Sequence, residues 1–492
     1  MANSADTICA LATPVGRGGV GIIRVSGPQA LALCQRLSGL APPPNLARLA
    51  SFRDAAGALI DQGLVLYFQA PASFTGEDVV EFHIHGSPIV ADLILSQLNA
   101  WGARLARPGE FSEQAFLNDK LDLAQAEAIA DLIDSASHTA ARYAVRSLRG
   151  DFSDAVNALV TDLTRLRVYV EAALDFPDED VDFLAEQSVK DRLQILEADF
   201  ARLLQQAKEG VSLREGLHLV LAGAPNAGKS SLLNALAGFD RAIVTDIPGT
   251  TRDLLDTQLT LQGLPLHITD TAGLRESTDP VEQEGIRRAR QALQQADGIL
   301  LVIDASQIMN TARETNQGNR LIEDTADEVT PTTVLSNVLS PDAVLPPDLA
   351  QEPLWQEFKA DPELVAKTLL VLNKIDLCQL PPGTTTIEGR PCIRLSALQR
   401  DGLEHLSQAL LDLAGFVPRE EGGFIARRRH LSALLSAQDA LHDAKRQFNA
   451  THSGELMAED LRRAQDALGE ITGKVSSDDL LGEIFGSFCI GK

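Results

Sequence analysis

Three patterns of apolar and polar positions follow one another along the 492 residues. Up to about residue 118, short β-type runs such as Gly21-Ile-Ile-Arg-Val-Ser, Gly63-Leu-Val-Leu-Tyr-Phe and Asp78-Val-Val-Glu-Phe-His-Ile-His alternate with Gly/Pro turns and a few helical stretches, the pattern of an α+β domain. From Asp119 the spacing becomes helical, with Leu121, Ala124, Ala128 and Leu132, then Leu159, Leu163, Leu166 and Val170, each set on one face. This texture pauses at 210–216 and resumes at Phe424, which predicts one helical domain split by an insertion. Inside the insertion, Leu217-His-Leu-Val-Leu-Ala, Gly298-Ile-Leu-Leu-Val-Ile-Asp and Thr368-Leu-Leu-Val-Leu-Asn are almost wholly apolar. Strands of that kind, separated by helical segments, predict a parallel sheet covered on both faces.

The expected fold is therefore multidomain: an α+β N-terminal domain (1–118), an all-α helical domain in two halves (119–214 and 417–492), and an inserted α/β Ras-like P-loop G domain (215–416). Residues 306–366, rich in Pro, Asn, Thr and acids, are too long for an ordinary strand-to-helix connection and are expected to form a surface insertion or a partly disordered loop. The net charge of −25 makes the average surface repel polyanions, so any RNA contact must be a local basic patch. Arg142, Arg146 and Arg149 on one helical face, and Arg427-Arg-Arg-His430, are the candidates. Five scattered cysteines form no CxxC pair, which argues against a disulfide framework and against structural zinc. The first residues lack the basic region and apolar stretch of a secretory signal, and no apolar run approaches the roughly 20 residues of a membrane span. A cytoplasmic protein without a membrane partner is the expectation.

The chemistry concentrates in the insertion. Gly223-Ala-Pro-Asn-Ala-Gly-Lys229-Ser230 satisfies G-x-x-x-x-G-K-[ST] directly after a strand and before the helix opened by Ser231. In that setting backbone N–H groups from Asn226, Ala227 and Gly228 onward wrap phosphates, Lys229 reaches the β and γ oxygens, and Ser230 ligates Mg²⁺. Asn373-Lys374-Ile375-Asp376 follows the strand of Thr368. The Asp376 carboxylate there accepts the N1–H and 2-amino hydrogens of guanine, a pairing adenine cannot offer, while Ser396-Ala397-Leu398 offers a backbone N–H to guanine O6. These motifs favour GTP over ATP. Asp270-Thr271-Ala272-Gly273 ends another strand, placing Asp270 near Mg²⁺ and the Gly273 N–H near the γ-phosphate. Thr245-Asp246-Ile247-Pro248-Gly249-Thr250-Thr251 is a loop able to fold over the metal, with Thr251 as second hydroxyl ligand. Pro248 is expected to restrict that loop. Leu274 stands where Ras-type proteins carry a water-orienting Gln, so another acceptor is needed, and Glu282 is the nearest candidate. Two apparent motifs are set aside: Gly16-Arg-Gly-Gly-Val-Gly21 lacks the βα setting of a dinucleotide loop, and His83 with His85 lacks a third metal ligand.

These residues, together with Gly16-Arg-Gly-Gly-Val-Gly-Ile-Ile-Arg24, Phe74-Thr-Gly-Glu-Asp-Val-Val-Glu81, Arg107-Pro-Gly-Glu-Phe-Ser, Asn118-Asp-Lys120-Leu-Asp-Leu-Ala-Gln-Ala-Glu, Gly249-Thr-Thr-Arg-Asp and Phe488-Cys-Ile-Gly-Lys492, resemble the MnmE (TrmE) tRNA modification GTPases over nearly the whole chain. The resemblance implies a K⁺-stimulated GTPase that works as a homodimer on tRNA. With an MnmG-type flavoprotein partner, it adds a carboxymethylaminomethyl or related aminomethyl group at C5 of a wobble uridine. A 5-formyl- or methylene-tetrahydrofolate-type folate is the implied one-carbon donor. It further implies that Asn226, Thr245, Ile247 and Thr250 hold K⁺, that Glu282 is catalytic, that Arg24, Glu81, Lys120 and Lys492 bind the folate, and that Cys489 takes part in the modification chemistry. Cys489 also reads as a small buried hydrophobe, and Arg24 with Glu81 as a surface ion pair. A GTP-switched ribosome-assembly factor of the Era or EngA type would share the G-domain strings. It would have no use for the N-terminal folate strings or the final Cys-Ile-Gly-Lys.

Overall fold

Alternation along the first strands builds a sheet with two unlike faces. In the computed structural model, which describes residues 6–175, 186–238, 256–270, 291–307, 361–387, 390–417, 422–451, 454–475 and 478–491, strands β1 (Ile8–Leu11), β2 (Gly21–Ser26), β3 (Arg48–Arg53), β4 (Leu59–Phe68), β5 (Val79–Ile84) and β6 (Arg104–Leu105) assemble in the order β3-β4-β5-β2-β1-β6. Helices α1 (Ala30–Ser38) and α2 (Pro88–Ala100) cover the face that carries Cys9, Ile23, Val25, Val80, Phe82 and Ile84. Phe52 meets Phe82 edge to face at 5.5 Å within this core. The two-residue period turns Arg24, Glu81 and His83 to the other face. There Ile8 and Ala10 form a smaller cluster with Ala106 and Phe111.

Helices α3 (Glu110–Leu117), α4 (Leu123–Ile133), α5 (His138–Arg149), α6 (Asp151–Asp175) and α7 (Glu186–Glu215) follow. Asp122 caps α4 by accepting the Gln125 N–H, and the Gln125 side chain returns to the Asp122 N–H, a reciprocal capping box. The expected pause at 210–216 does not occur before Glu215, because α7 continues through Gly210. That glycine is needed for approach rather than for a break: a Cβ there would lie 2.4 Å from the Phe424 carbonyl oxygen and 2.8 Å from the Ala426 nitrogen.

The inserted part carries β7 (Leu217–Ala222), α8 (Lys229–Ala237), β8 (Asp256–Leu261), β9 (Leu264–Asp270), β10 (Gly298–Asp304), α9 (Pro362–Ala366), β11 (Thr368–Asn373), β12 (Gly383–Ile387), β13 (Arg390–Arg394) and α10 (Leu403–Leu413). Its sheet runs β12-β13-β11-β10-β7-β9-β8, parallel from β13 to β9 with one antiparallel strand at each edge. Every residue of β10 and of β11 is buried, as continuous apolar runs covered on both faces require. The chain then returns through α11 (Arg428–Thr451), α12 (Gly454–Thr472) and α13 (Asp478–Gly486), with α12 packed on both α11 and α6. The result is an α+β N-terminal sheet, a helical part and an inserted α/β P-loop part. By compactness the chain divides into two units: Met1–Asp134, Ala144–Leu204 and Arg428–Lys492 in one, Ser135–Tyr143 and Gln205–Arg427 in the other.

Within the first unit one buried carboxylate joins three helices. Glu127 of α4 is 1% exposed and accepts from Arg429 Nε at 2.8 Å, Arg429 Nη2 at 2.7 Å and His430 Nε2 at 2.8 Å. Arg429 also donates to the Glu470 and Ile471 carbonyls of α12. Burial pushes the Glu127 carboxyl upward, but His430 and Arg429 outweigh it and hold the group far below the usual carboxylate range. A depressed carboxyl stabilises the fold at neutral pH, and the contribution fades as pH falls below the ordinary carboxylate value of about 4.3. Glu127→Ala strands the half-buried Arg429 guanidinium and the buried His430 imidazole, so it is expected to cost about 3–5 kcal/mol. Urea unfolding followed by circular dichroism should show this loss at neutral pH, with the gap to the native sequence narrowing in acid.

Candidate functional site

The carboxyl ends of the parallel strands converge on one edge, where open α/β sheets hold their ligands. β7 delivers the chain into the loop Gly223–Gly228, which ends in the N-cap of α8 with Gly228 at φ 98°. Gly223 stands at φ 136°, and a Cβ on it would lie 2.2 Å from the Val302 carbonyl oxygen of β10, so neither conformation nor space admits a side chain. Asn226 is held at φ 64° and is exposed, as are Ser230 and Ser231 in the first turn of α8, while Ala227 is buried. Lys229 folds back so that Nζ donates to the Gly223 and Ala224 carbonyls at 2.8 and 3.1 Å. This is a phosphate cradle by shape, with an ammonium over the loop and an exposed hydroxyl at Ser230 suited to a hard cation.

The base end is built onto the same edge. Asn373, the last residue of β11 and 2% exposed, donates from Nδ2 to the Ala227 carbonyl at 3.0 Å and accepts the Ala397 N–H on Oδ1 at 3.0 Å. One amide thus links the phosphate loop to the loop after β13. Lys374 takes a left-handed conformation, φ 63°, and Ile375 opens a short 3-10 turn, which aims Asp376 back along the edge. The buried Ser396 hydroxyl donates to Asp376 Oδ1 at 2.6 Å and orients the carboxylate. Leu398 is exposed at the rim, and Asp270 closes β9 as a buried carboxylate. Pattern reasoning missed Asp304, which ends β10 and pins Lys374 through Oδ2 at 2.7 Å. Burial raises the Asp304 carboxyl, but hydrogen bonds from Lys374 and Ser306 more than offset this and leave it low. The signal was present in the final Asp of the apolar run Gly298–Asp304. Thr245, Asp246, Ile247, Pro248, Gly249, Thr250, Thr251, Thr271, Ala272, Gly273, Glu282 and Lys492 lie outside the described residues.

On the N-terminal sheet, β2 and β5 place Arg24 directly opposite Glu81. Arg24 Nε and Nη2 reach Glu81 Oε1 at 3.0 and 2.9 Å, and the guanidinium lies over the Phe74 and Phe111 rings at 5.3 and 5.6 Å. Lys120 Nζ donates to the Pro71 carbonyl at 3.0 Å and Asn118 Nδ2 to the Thr75 carbonyl at 2.7 Å. Ser26 Oγ meets Thr75 Oγ1 at 2.7 Å, so the loop carrying Phe74 is tied to β2 and to the end of α3 alike. Near the C-terminus, Phe485 and Phe488 are buried with Leu123 and Ala126, Ile490 bridges to Pro108, and Cys489 is exposed. Exposure there excludes the reading of Cys489 as a buried hydrophobe. Among the described residues no group of three or more His, Cys, Asp or Glu has the geometry to hold a metal ion. His85 instead pairs with Asp61 at 2.7 Å, and His83 stands beside Glu81.

Two family models match the chain, one described as the MnmE helical domain over residues 123–489 and one as the GTP-binding protein TrmE N-terminus over residues 7–120. The tRNA modification GTPase MnmE of Marinobacter nauticus is 50% identical over 494 residues, covering 100% of both chains. The protein of the same name from Erwinia tasmaniensis is 50% identical over 492 residues, again covering 100% of both. The chain belongs to the MnmE family.

For this MnmE-family chain the two basic candidates fare differently. Arg142 and Arg149 are exposed on α5, and Arg146 pairs with Asp151 at 2.7 Å. Arg429 and His430 turn inward to Glu127, which removes half of the 427–430 cluster from any RNA-facing surface. The base-end geometry also yields a direct test. Asp376→Asn replaces an acceptor-only group with one that offers an N–H to guanine, and hydrogen bonds to a charged acceptor contribute about 1.5–3 kcal/mol each. GTP affinity measured by fluorescent-nucleotide titration is expected to fall about 100-fold or more, with the melting temperature nearly unchanged.

Proposed function

We propose that the protein hydrolyses GTP as part of wobble-uridine modification in tRNA, in the cytoplasm, acting as a homodimer with an MnmG-type flavoprotein partner. The observation that carries the GTP half of this reading is the Asn373 side chain, whose amide holds the phosphate loop and the Asp376 end of the site in one frame. Asp376 selects guanine, Lys229 neutralises the β and γ oxygens, and the backbone from Asn226 to Ser231 wraps them. The exposed Ser230 hydroxyl fits Mg²⁺, with Thr251 as its companion. Asn226 fits K⁺, with Thr245, Ile247 and Thr250 completing the set; such a cation supplies positive charge where charge develops during cleavage. Glu282 orients the attacking water in place of the glutamine that Leu274 displaces.

For the modification half, the Arg24–Glu81 pair, with Lys120 and Lys492, binds a folate of the 5-formyl- or methylene-tetrahydrofolate type, and the exposed Cys489 serves the transfer chemistry. A pterin edge carries adjacent N–H donors that suit a carboxylate, and an anionic glutamyl tail suits the lysines. The half-buried Arg24–Glu81 pair contributes little to stability, which is consistent with retention for ligand binding.

Hydrolysis is expected to be faster in KCl than in NaCl at equal ionic strength, and Asn226→Ala should abolish the difference; equal rates in the unaltered chain would remove the cation from the mechanism. Glu282→Ala should lower turnover while leaving nucleotide affinity within about threefold, a split between kcat and Kd that marks a group acting on the water. Mass spectrometry of tRNA nucleosides after deletion of the gene tests the whole reading, because unchanged wobble uridines would reject it.

A further inference from the structure

The Arg24–Glu81 pair leaves one carboxylate oxygen unclaimed. Both Arg24 donors converge on Oε1, at 3.0 Å from Nε and 2.9 Å from Nη2. The guanidinium is kept on that side by the Phe74 and Phe111 rings beneath it. Oε2 instead faces His83 Nε2 at 3.5 Å, too far for a good hydrogen bond. That imidazole nitrogen is itself buried and makes no hydrogen bond. A buried polar atom without a partner is costly and calls for an explanation, of which a ligand on the open sheet face is one.

We propose that His83 is a specificity residue of this site: its Nε2 and Glu81 Oε2 form a two-acceptor edge for the adjacent N–H donors of a 2-amino-4-oxo ring such as a pterin. The inference rests on the folate reading above and adds to it a residue outside the Arg24, Glu81, Lys120 and Lys492 set. A neutral imidazole protonated on Nδ1 presents a lone pair at Nε2. A carboxylate alone attracts any cation, and Arg24 already satisfies that demand. A neutral acceptor 3.5 Å from Oε2 favours a planar group with two donors side by side. The charged group beside His83 is Glu81 on its own strand, whose other oxygen holds Arg24 of β2. Its direct cross-strand neighbours are Ile22 on β2 and Leu64 on β4, neither of which ionises.

Isothermal titration of the full-length chain with 5-formyltetrahydrofolate tests this. At about pH 8, His83→Leu should weaken binding about tenfold, the equivalent of one lost hydrogen bond of roughly 1.4 kcal/mol. His83→Gln keeps an acceptor and cannot ionise, so it should stay within about threefold. His83→Leu binding as tightly as the unaltered chain, or His83→Gln losing as much as His83→Leu, overturns the assignment. Glu81→Gln separates the two layers. If it loses binding while His83→Leu does not, only the His83 inference falls; if the unaltered chain fails to bind the probe, or Glu81→Gln binds normally, the folate reading falls with it. Circular dichroism confirms that each variant is folded.

Discussion

The nucleotide site depends on a single buried amide. Asn373 has no freedom to serve the phosphate loop without also serving the loop after β13, because its two polar atoms are each committed, one to Ala227 and one to Ala397. The spacing between the phosphate loop and the loop after β13 is therefore set by one side chain at the end of one strand. Gly228 is part of the same constraint, since a Cβ on it would lie 2.2 Å from Asn373 Nδ2. The glycine of one motif and the asparagine of another, far apart in sequence, are a single steric unit. Around it, Ser396 orients Asp376 and Asp304 pins Lys374, so the Asn373–Asp376 turn is held in place by the protein's own contacts.

The chain uses the same Arg–Glu chemistry for two purposes, and the difference lies in saturation. Glu127 has both oxygens occupied, by Arg429 and His430, and sits where desolvation makes every missing partner expensive. Nothing remains for a ligand, and the cluster is a brace between α4, α11 and α12. Glu81 has one oxygen occupied and one open, on a half-exposed sheet face where the pair by itself contributes about 0–1 kcal/mol. Counting which lone pairs are used separates a fully engaged carboxylate from one with an oxygen to spare more sharply than burial alone.

The parts of the fold that depend on local pattern were legible in the sequence. Continuous apolar runs marked β7, β10 and β11, helical spacing marked α4 and α6, and the P-loop and Asn373–Asp376 strings fell at strand ends as their chemistry demands. Features set by partners distant in sequence were not legible. Arg429 and His430 look like half of a basic surface cluster until α4 supplies Glu127. Gly210 looks like a helix terminator until the backbone of Phe424–Ala426 is seen to need the space. Asp304 is an ordinary strand-ending acid until Lys374 folds over it, and the aromatic bed beneath Arg24 draws Phe74 from the loop between β4 and β5 and Phe111 from α3. For Arg24, Glu81 and Lys120 the pattern of residues offers no more than a surface ion pair and a lone lysine, and their proposed folate role comes from the family resemblance.

The discontinuity of the first compact unit has a consequence for biosynthesis. α4 and α6 leave the ribosome early, yet their packing partners α11 and α12 are encoded after the whole of Gln205–Arg427. At roughly 5–20 residues per second, translating that segment takes on the order of 10 to 45 s. Throughout this interval Leu159, Leu163 and Leu166, buried in the finished protein, have no α12 to cover them, and Glu127 has no countercharge. The inserted P-loop unit, contiguous apart from Ser135–Tyr143, is free to fold while the nascent helices wait, so trigger-factor-type chaperones that shield apolar segments are most needed midway through synthesis rather than at its end.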